Sequence, residues 1–182
     1  MNDTPSTPAV AAALPLPESP IEGIDTFDHP VVHLAVVRRT DYPMAELPAL
    51  MDGTFSHLPQ ALAERGVEIA GPALSQHFRM PTDTCDLEAG LPVRTPLVEP
   101  FALDNGFLVE PGLLPATPVA ATSYVGPYEG LGEAWGGFMQ AVGERGLQAA
   151  LPFWEIYVTA PMPGADPSVL RTDLVVALDA HR

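Results

Sequence analysis

Gln60-Ala61-Leu62-Ala63-Glu64-Arg65-Gly66-Val67 returns as Gln140-Ala141-Val142-Gly143-Glu144-Arg145-Gly146-Leu147, an offset of 80 residues. Five of the eight positions are identical, and Pro72 falls in phase with Pro152, after which both copies enter a short apolar segment. Charged residues followed by glycine also end many unrelated helices, so two helices finishing alike is the alternative reading. The identities, together with a proline in register, favour an internal repeat.

Outward from this segment, each copy reads as strand, helix, strand, strand. In the first, Val31 to Val37 is a strand and about 43–65 is helical, interrupted near Pro48 and Gly53, with Gly66 ending it. A strand is expected near Leu74 to Met80 and another over about Val93 to Leu103, where Asp104-Asn105-Gly106 turns tightly into Phe107 to Glu110. In the second, Val119 to Val125 is a strand and Pro127 opens a helix. Leu131, Trp135, Phe138 and Val142 then recur at helical spacing on one buried face, and Gly146 closes it. Phe153 to Ala160 and Leu174 to Leu178 are the last strands, either side of a Pro/Gly loop at 161–167. The expected fold class is α+β: duplicated β-α-β-β units related by a pseudo-two-fold, with antiparallel sheets and a central ligand groove where the units meet. Repeat 1 spans about 28–103 and repeat 2 about 114–179, within a single domain over 28–182. Residues 1–27, with five prolines and Asp3, Glu18, Glu22 and Asp25, read as a disordered leader outside that domain.

Composition narrows the partners. There are 182 residues, 23 of them acidic against eight arginines and no lysine, and the formal net charge is -15. Nucleic acid is an unsuitable direct partner, because its binding relies on cationic side chains that neutralise phosphates. No stretch approaches the roughly 18 uninterrupted apolar residues of a membrane span. The start lacks the positive charge of a secretory signal, and the single cysteine, Cys85, has no partner for an internal disulfide. Both point to a cytoplasmic protein. His29, His33, His57, His77 and His181 show no metal-ligand pairing, so no metal or cofactor is expected. Ser75, Ser123 and Ser168 lack a nucleophile-elbow context.

One strand carries a chemical signal. Along Phe153-Trp154-Glu155-Ile156-Tyr157-Val158 the side chains alternate, which puts Phe153, Glu155 and Tyr157 on one face and Trp154, Ile156 and Val158 on the other. The first copy offers Ala73, Ser75 and His77 at the matching positions, so only the second copy places an acid there. Glu155 is either a solvated strand residue or a sheltered carboxylate between rings. In the second case burial penalises its charge unless a cation compensates, and ring faces add roughly 0.5–2 kcal/mol each by cation–π attraction. Tyr128 and Trp135, at the helix start, are candidates to line the cleft or to pack in the core, and Tyr42 is their weaker counterpart before the first helix.

Several segments agree in order and spacing with a known family. Leu114-Pro115-Ala116-Thr117-Pro118-Val119-Ala120, Gly126-Pro127-Tyr128-Glu129 with Leu131 and Trp135, Trp154-Glu155-Ile156-Tyr157-Val158-Thr159-Ala160-Pro161, Asp166-Pro167 and Thr172-Asp173-Leu174 resemble the gyrase-inhibitor-like (GyrI-like) small-molecule-binding domain. Asp86-Leu87-Glu88-Ala89-Gly90-Leu91-Pro92-Val93 resembles the end of that family's first repeat, and the likeness covers about residues 28–179. It implies a groove that takes lipophilic, often cationic or aromatic compounds, with the motif acid, here Glu155, touching the ligand. The family occurs behind DNA-binding modules of transcription activators and as free-standing domains. Some of the latter resemble hydrolases of cyclopropane-bearing genotoxins that use the groove acid with an aromatic hydroxyl. Residues 1–27 are too short and acidic for a helix-turn-helix head, so a free-standing domain is expected. His77 stands where the first repeat often has an aromatic.

Three functions are therefore open. The first is a sensor or sequestering protein for hydrophobic cationic or aromatic small molecules, with Glu155 supplying charge and Phe153, Tyr157, Tyr128, Trp135, His77 and Tyr42 the walls. The second is a hydrolase with Glu155 as general base and Tyr128 or Tyr157 hydrogen-bonding the leaving group. The third is a protein-interaction role such as gyrase inhibition, with the protein partner unspecified.

Overall fold

The run Val32–Val37 is buried at every residue except His33, the pattern of a strand covered on both faces. It lies in a nine-stranded antiparallel sheet of a computed structural model that describes residues 12–160 and 162–179. The strands are β1 (Asp25–His29), β2 (Val32–Pro43), β3 (Leu74–His77), β4 (Thr84–Pro92), β5 (Phe101–Ala102), β6 (Leu108–Leu114), β7 (Thr117–Val125), β8 (Ala149–Tyr157) and β9 (Arg171–Leu178). Helices α1 (Leu47–Phe55) and α2 (Leu58–Glu64) follow β2, and α3 (Leu131–Glu144) follows β7. Each helical stretch is entered by a 3-10 turn, Met44–Glu46 or Tyr128–Gly130, behind an extended proline, Pro43 or Pro127.

The expected α+β class with a repeated order is what the structure has. Across the sheet the order is β1-β7-β9-β8-β3-β4-β2-β6-β5. In each half the first strand pairs with the third and the third with the second, as β2·β4·β3 and β7·β9·β8. The two second strands, β3 and β8, then pair with each other. Their register sets Ser75 opposite Glu155, with Leu74 opposite Ile156 and Gln76 opposite Trp154. Ser75 and Glu155, 80 apart in sequence, thus face one another where the halves join. The helices of the two halves end alike, on Gly66 (φ 68°) and Gly146 (φ 72°), a left-handed conformation that glycine adopts without steric cost.

Both helical layers lie on one face of the sheet. Leu50, Leu58 and Leu62 pack on Val37, Leu87 and Val109, while Phe138 and Val142 pack on Ala120, Phe153, Leu174 and Val176. Burying each such side chain contributes roughly 1.5–3 kcal/mol. Among the described residues no helix covers the opposite face, where Leu34, Val36, Leu74, Trp154, Ile156 and Val175 form a third cluster.

That third cluster corrects the expected leader. Residues 1–11 lie outside the described residues, but Leu14 is buried in the cluster with Leu16, Ile21 and Phe27 packed against it, and Asp25–His29 adds β1 to the edge of β7. Polar contacts fix this segment too: Arg171 donates to the carbonyls of Pro17 and Glu18, Ser123 accepts from the Ile21 amide, and Thr122 donates to the Gly23 carbonyl. Apolar residues set between prolines read as low complexity, yet they pack on the sheet face opposite the helices.

Other boundaries move as well. The two antiparallel units form one continuous sheet, because β3 and β8 share hydrogen bonds. The strand expected over Val93 to Leu103 is replaced by the short β5, and the long central strand is β4, which the charges of Asp86 and Glu88 conceal. Those charges are met by Arg79 and Arg38. Within β4, Gly90 lies so close to the Ala35 carbonyl that a Cβ would collide with it. The helix does not break at Pro48 or Gly53: Pro48 sits in the first turn of α1, where a proline loses no hydrogen bond, and the interruption falls at Ser56 and His57. No helix among the described residues is long and apolar enough to cross a membrane.

Candidate functional site

Alternation along β8 does what the sequence implied. Trp154 and Ile156 enter the helix-free cluster, and Phe153, Glu155 and Tyr157 face the helices. A bulge between Ala150 and Phe153 precedes this stretch without disturbing its register against β3. Above the β3–β8 seam the two helical layers present one aromatic each. Trp135 comes from α3 and Phe55 from the last position of α1. Glu155 sits between them on the sheet floor, half-buried.

The carboxylate is tied at both oxygens by neutral donors. Trp135 Nε1 donates to Oε1 at 2.8 Å and the Tyr157 hydroxyl donates to Oε2 at 2.8 Å. Tyr157 Oη also lies 2.9 Å from Ser75 Oγ, and Ser75 Oγ lies 3.2 Å from His77 Nε2. A chain of four polar groups thus crosses from the second half to the first. Aromatic rings enclose it. Tyr128 and Phe55 both meet the Tyr157 ring edge-on, at centroid separations of 5.8 and 6.3 Å. Trp135 meets Phe153 edge-on at 4.8 Å, and His77 stacks on Phe153 at 4.8 Å with its plane within 2°.

Among the described residues no cation compensates Glu155. The described arginines are engaged elsewhere: Arg38 with Glu88, Arg79 with Asp86, Arg94 with Glu68, Arg171 with Asp173, Arg39 and Arg65 on ring faces, and Arg145 with the Ile24 carbonyl. Desolvation therefore raises the Glu155 carboxyl above its usual range, only partly opposed by the bonds from Trp135 and Tyr157. Burial and the adjacent carboxylate push the Tyr157 phenol well above its ordinary value, and the same two causes raise Tyr128. Burial lowers His77 to about 4, so the imidazole is neutral at physiological pH.

The structure brings together most of the residues singled out by sequence. Glu155, Tyr157, Tyr128 and Trp135 form one constellation, with Tyr128 the most open of them. Phe153 and His77 belong to it as backing and not as exposed wall, since both are buried. Tyr42 does not belong: it lies on β2 against Cys85, in the cluster under α1 and α2, with Arg39 near its ring. The residue that follows Pro43 as Tyr128 follows Pro127 is Met44, which is why counting from the helix start misplaced Tyr42. Phe55 and Ser75 are the residues sequence reasoning passed over. Their signal was the 80-residue offset, which pairs Phe55 with Trp135 and Ser75 with Glu155.

Two defined surface hollows lie away from this constellation. One, of about 340 Å³, is lined by Arg38, Arg39, Thr40, Phe78, Asp86 and Glu88. The other, of about 260 Å³, lies between the N-terminal segment at Gly23 and Ile24 and the Ala134–Ala141 side of α3.

Comparison with known proteins adds a family match and a set of similar folds. Residues 33–179 match the family described as the GyrI-like small molecule binding domain. The crystal structure of the EcmrR C-terminal domain is similar at a TM-score of 0.70 and 14% identity, over 86% of this chain and 96% of that one. In the cryo-EM structure of EcmrR with DNA, the likeness covers 86% of this chain but only 57% of that chain, at 15% identity and a TM-score of 0.67. SAV2435 bound to tetraphenylphosphonium is similar at a TM-score of 0.58 and 8% identity, over 86% of this chain and 94% of that one. A hydrolase from Listeria innocua is similar at 0.56 and 13%, over 89% and 94%. At these identities the likeness is one of fold. No curated protein matches the sequence.

Proposed function

Because the chain belongs to the GyrI-like family of small-molecule-binding domains, we propose that it binds lipophilic organic cations against Glu155, as a sensor or sequestering protein. The observation that carries this is a half-buried carboxylate held by two neutral donors, walled by aromatic rings and without a cationic partner among the described residues. A bound cation supplies the missing charge. The ring faces of Trp135, Tyr128 and Phe55 add roughly 0.5–2 kcal/mol each where they meet it desolvated. SAV2435, of similar fold, holds tetraphenylphosphonium, a cation of this class. The lone cysteine, Cys85, is free and buried, in keeping with a cytoplasmic setting.

A second reading draws on the raised carboxyl of Glu155, the direction that suits a general base at neutral pH. One protein of similar fold is described as a hydrolase. In this reading Glu155 takes a proton from water as it attacks an electrophilic ring. Tyr128 is then the hydroxyl free to meet the departing group, because the Tyr157 proton is given to Glu155.

One experiment separates the two. Tetraphenylphosphonium and neutral triphenylphosphine oxide are titrated against the protein, and an electrophilic cyclopropane compound is followed for ring opening. Preferential binding of the cation without turnover supports the first reading. Turnover supports the second, and equal affinity for the charged and neutral compounds removes the role given to the carboxylate.

A further inference from the structure

The polar chain behind Glu155 has a direction. A carboxylate oxygen only accepts, so when Glu155 is charged the Tyr157 proton points to Oε2. The Tyr157 oxygen is then an acceptor for the Ser75 hydroxyl at 2.9 Å, and the Ser75 oxygen in turn accepts from the N–H of His77 Nε2 at 3.2 Å. Every member donates toward Glu155.

His77 favours the same direction from the far end. Its Nδ1 is buried and has no hydrogen-bond partner among the described residues. A neutral imidazole carries one proton. Placed on Nδ1 it would be an orphaned buried donor, which proteins tolerate less well than an orphaned acceptor. Placed on Nε2 it reaches Ser75. The stack on Phe153 at 4.8 Å and the register Ser75–Glu155 and His77–Phe153 between β3 and β8 hold the imidazole in that orientation.

We infer that Ser75 and His77, which belong to the opposite half of the fold, are positioning residues for Glu155: they fix the Tyr157 hydroxyl as a donor and so favour the charged carboxylate. The inference concerns the same carboxylate as the proposed cation site, and to that extent rests on it. A proton on the side of Glu155 that meets Tyr157 falls where that hydroxyl already points one, and relief there reverses the chain and leaves the proton of His77 on Nδ1. The titratable neighbours of Glu155 are Tyr157 on its own strand, Tyr128 on the 3-10 turn and, through Ser75, His77 on β3. α1 and α3 present Phe55 and Trp135, which do not titrate.

The test reads Glu155 directly. The full chain is labelled with ¹³C at glutamate carboxyls, the Glu155 signal is assigned from its loss in Glu155→Gln, and its pH midpoint is measured without ligand. Ser75→Ala breaks the chain, and His77→Phe keeps a ring on Phe153 while removing the terminal donor. Hydrogen bonds in series strengthen one another by about 10–30%, so Ser75→Ala raises the proton affinity of Glu155 about two- to fourfold. His77→Phe moves it the same way by less, and the double variant moves it no further than Ser75→Ala, since His77 acts through Ser75. An unmoved midpoint in either single variant overturns the inference, as does a double variant equal to the sum of the two. Urea denaturation confirms that each variant is folded. Failure to bind tetraphenylphosphonium would sink the proposed function and leave this titration standing.

Discussion

Glu155→Gln is the substitution on which the proposed function turns. Glutamine has nearly the size of glutamate, its oxygen accepts from Trp135 Nε1, and its nitrogen takes the place of the oxygen that Tyr157 meets. What changes is one charge, together with the Tyr157 hydroxyl, which accepts from that nitrogen where it donated to the carboxylate. A cation whose centre rests about 5 Å from the carboxylate, at an effective dielectric near 20, gains about 3 kcal/mol from it. Losing that corresponds to about a hundredfold weaker binding of tetraphenylphosphonium, read by calorimetry or fluorescence at pH 8. The pH dependence has a definite sign. Because desolvation raises the Glu155 carboxyl, affinity in the wild type falls on acidification at a higher pH than an ordinary glutamate would dictate. The glutamine variant shows no such fall, and added salt changes the result little because the pair is screened less than surface charges. A loss below threefold at pH 8, or an unaltered pH profile in the variant, would refute the electrostatic account.

Phe55→Ala removes the wall that α1 contributes. Tetraphenylphosphonium binding then weakens by about 2- to 30-fold while its pH profile stays in place, as a lost ring contact predicts. His77 is held near 4 against 6.5 in the unfolded chain, so the unfolded state takes up the extra proton and stability declines as pH drops from 6.5 to 4. The gap corresponds to about 3 kcal/mol, measured by urea denaturation across that range, and His77→Phe flattens it. Arg171→Met leaves Asp173, 1% exposed, as a buried uncompensated charge and releases the carbonyls of Pro17 and Glu18. It costs about 3–5 kcal/mol by denaturant midpoint, and an N-terminal segment that becomes protease-sensitive confirms the anchoring.

Repetition made much of this protein legible. Matching residues 80 apart exposed the order strand, helix, strand, strand and singled out Glu155 as the acid that one half has and the other lacks. Alternation along β8 sorted its faces, because side chains in a strand point to opposite sides whatever packs on them. Boundaries were harder where chemistry contradicted propensity. β4 carries Asp86 and Glu88, and only their pairing with Arg79 and, 50 residues away, Arg38 explains charges in a central strand. The segment before β1 looked dispensable because its apolar residues are spread between prolines, and their value lies in a surface formed by β2, β7, β8 and β9.

Local pattern, then, determined the α+β class, the repeat, and which residues on β8 share a face. Those are properties of neighbours along the chain, set by the geometry of strand and helix. Tertiary pairing alone decided that Ser75 stands opposite Glu155, that Phe55 shares its aromatic surround with Trp135, and that Tyr42 does not. Such contacts depend on the register between β3 and β8, which many side chains determine together.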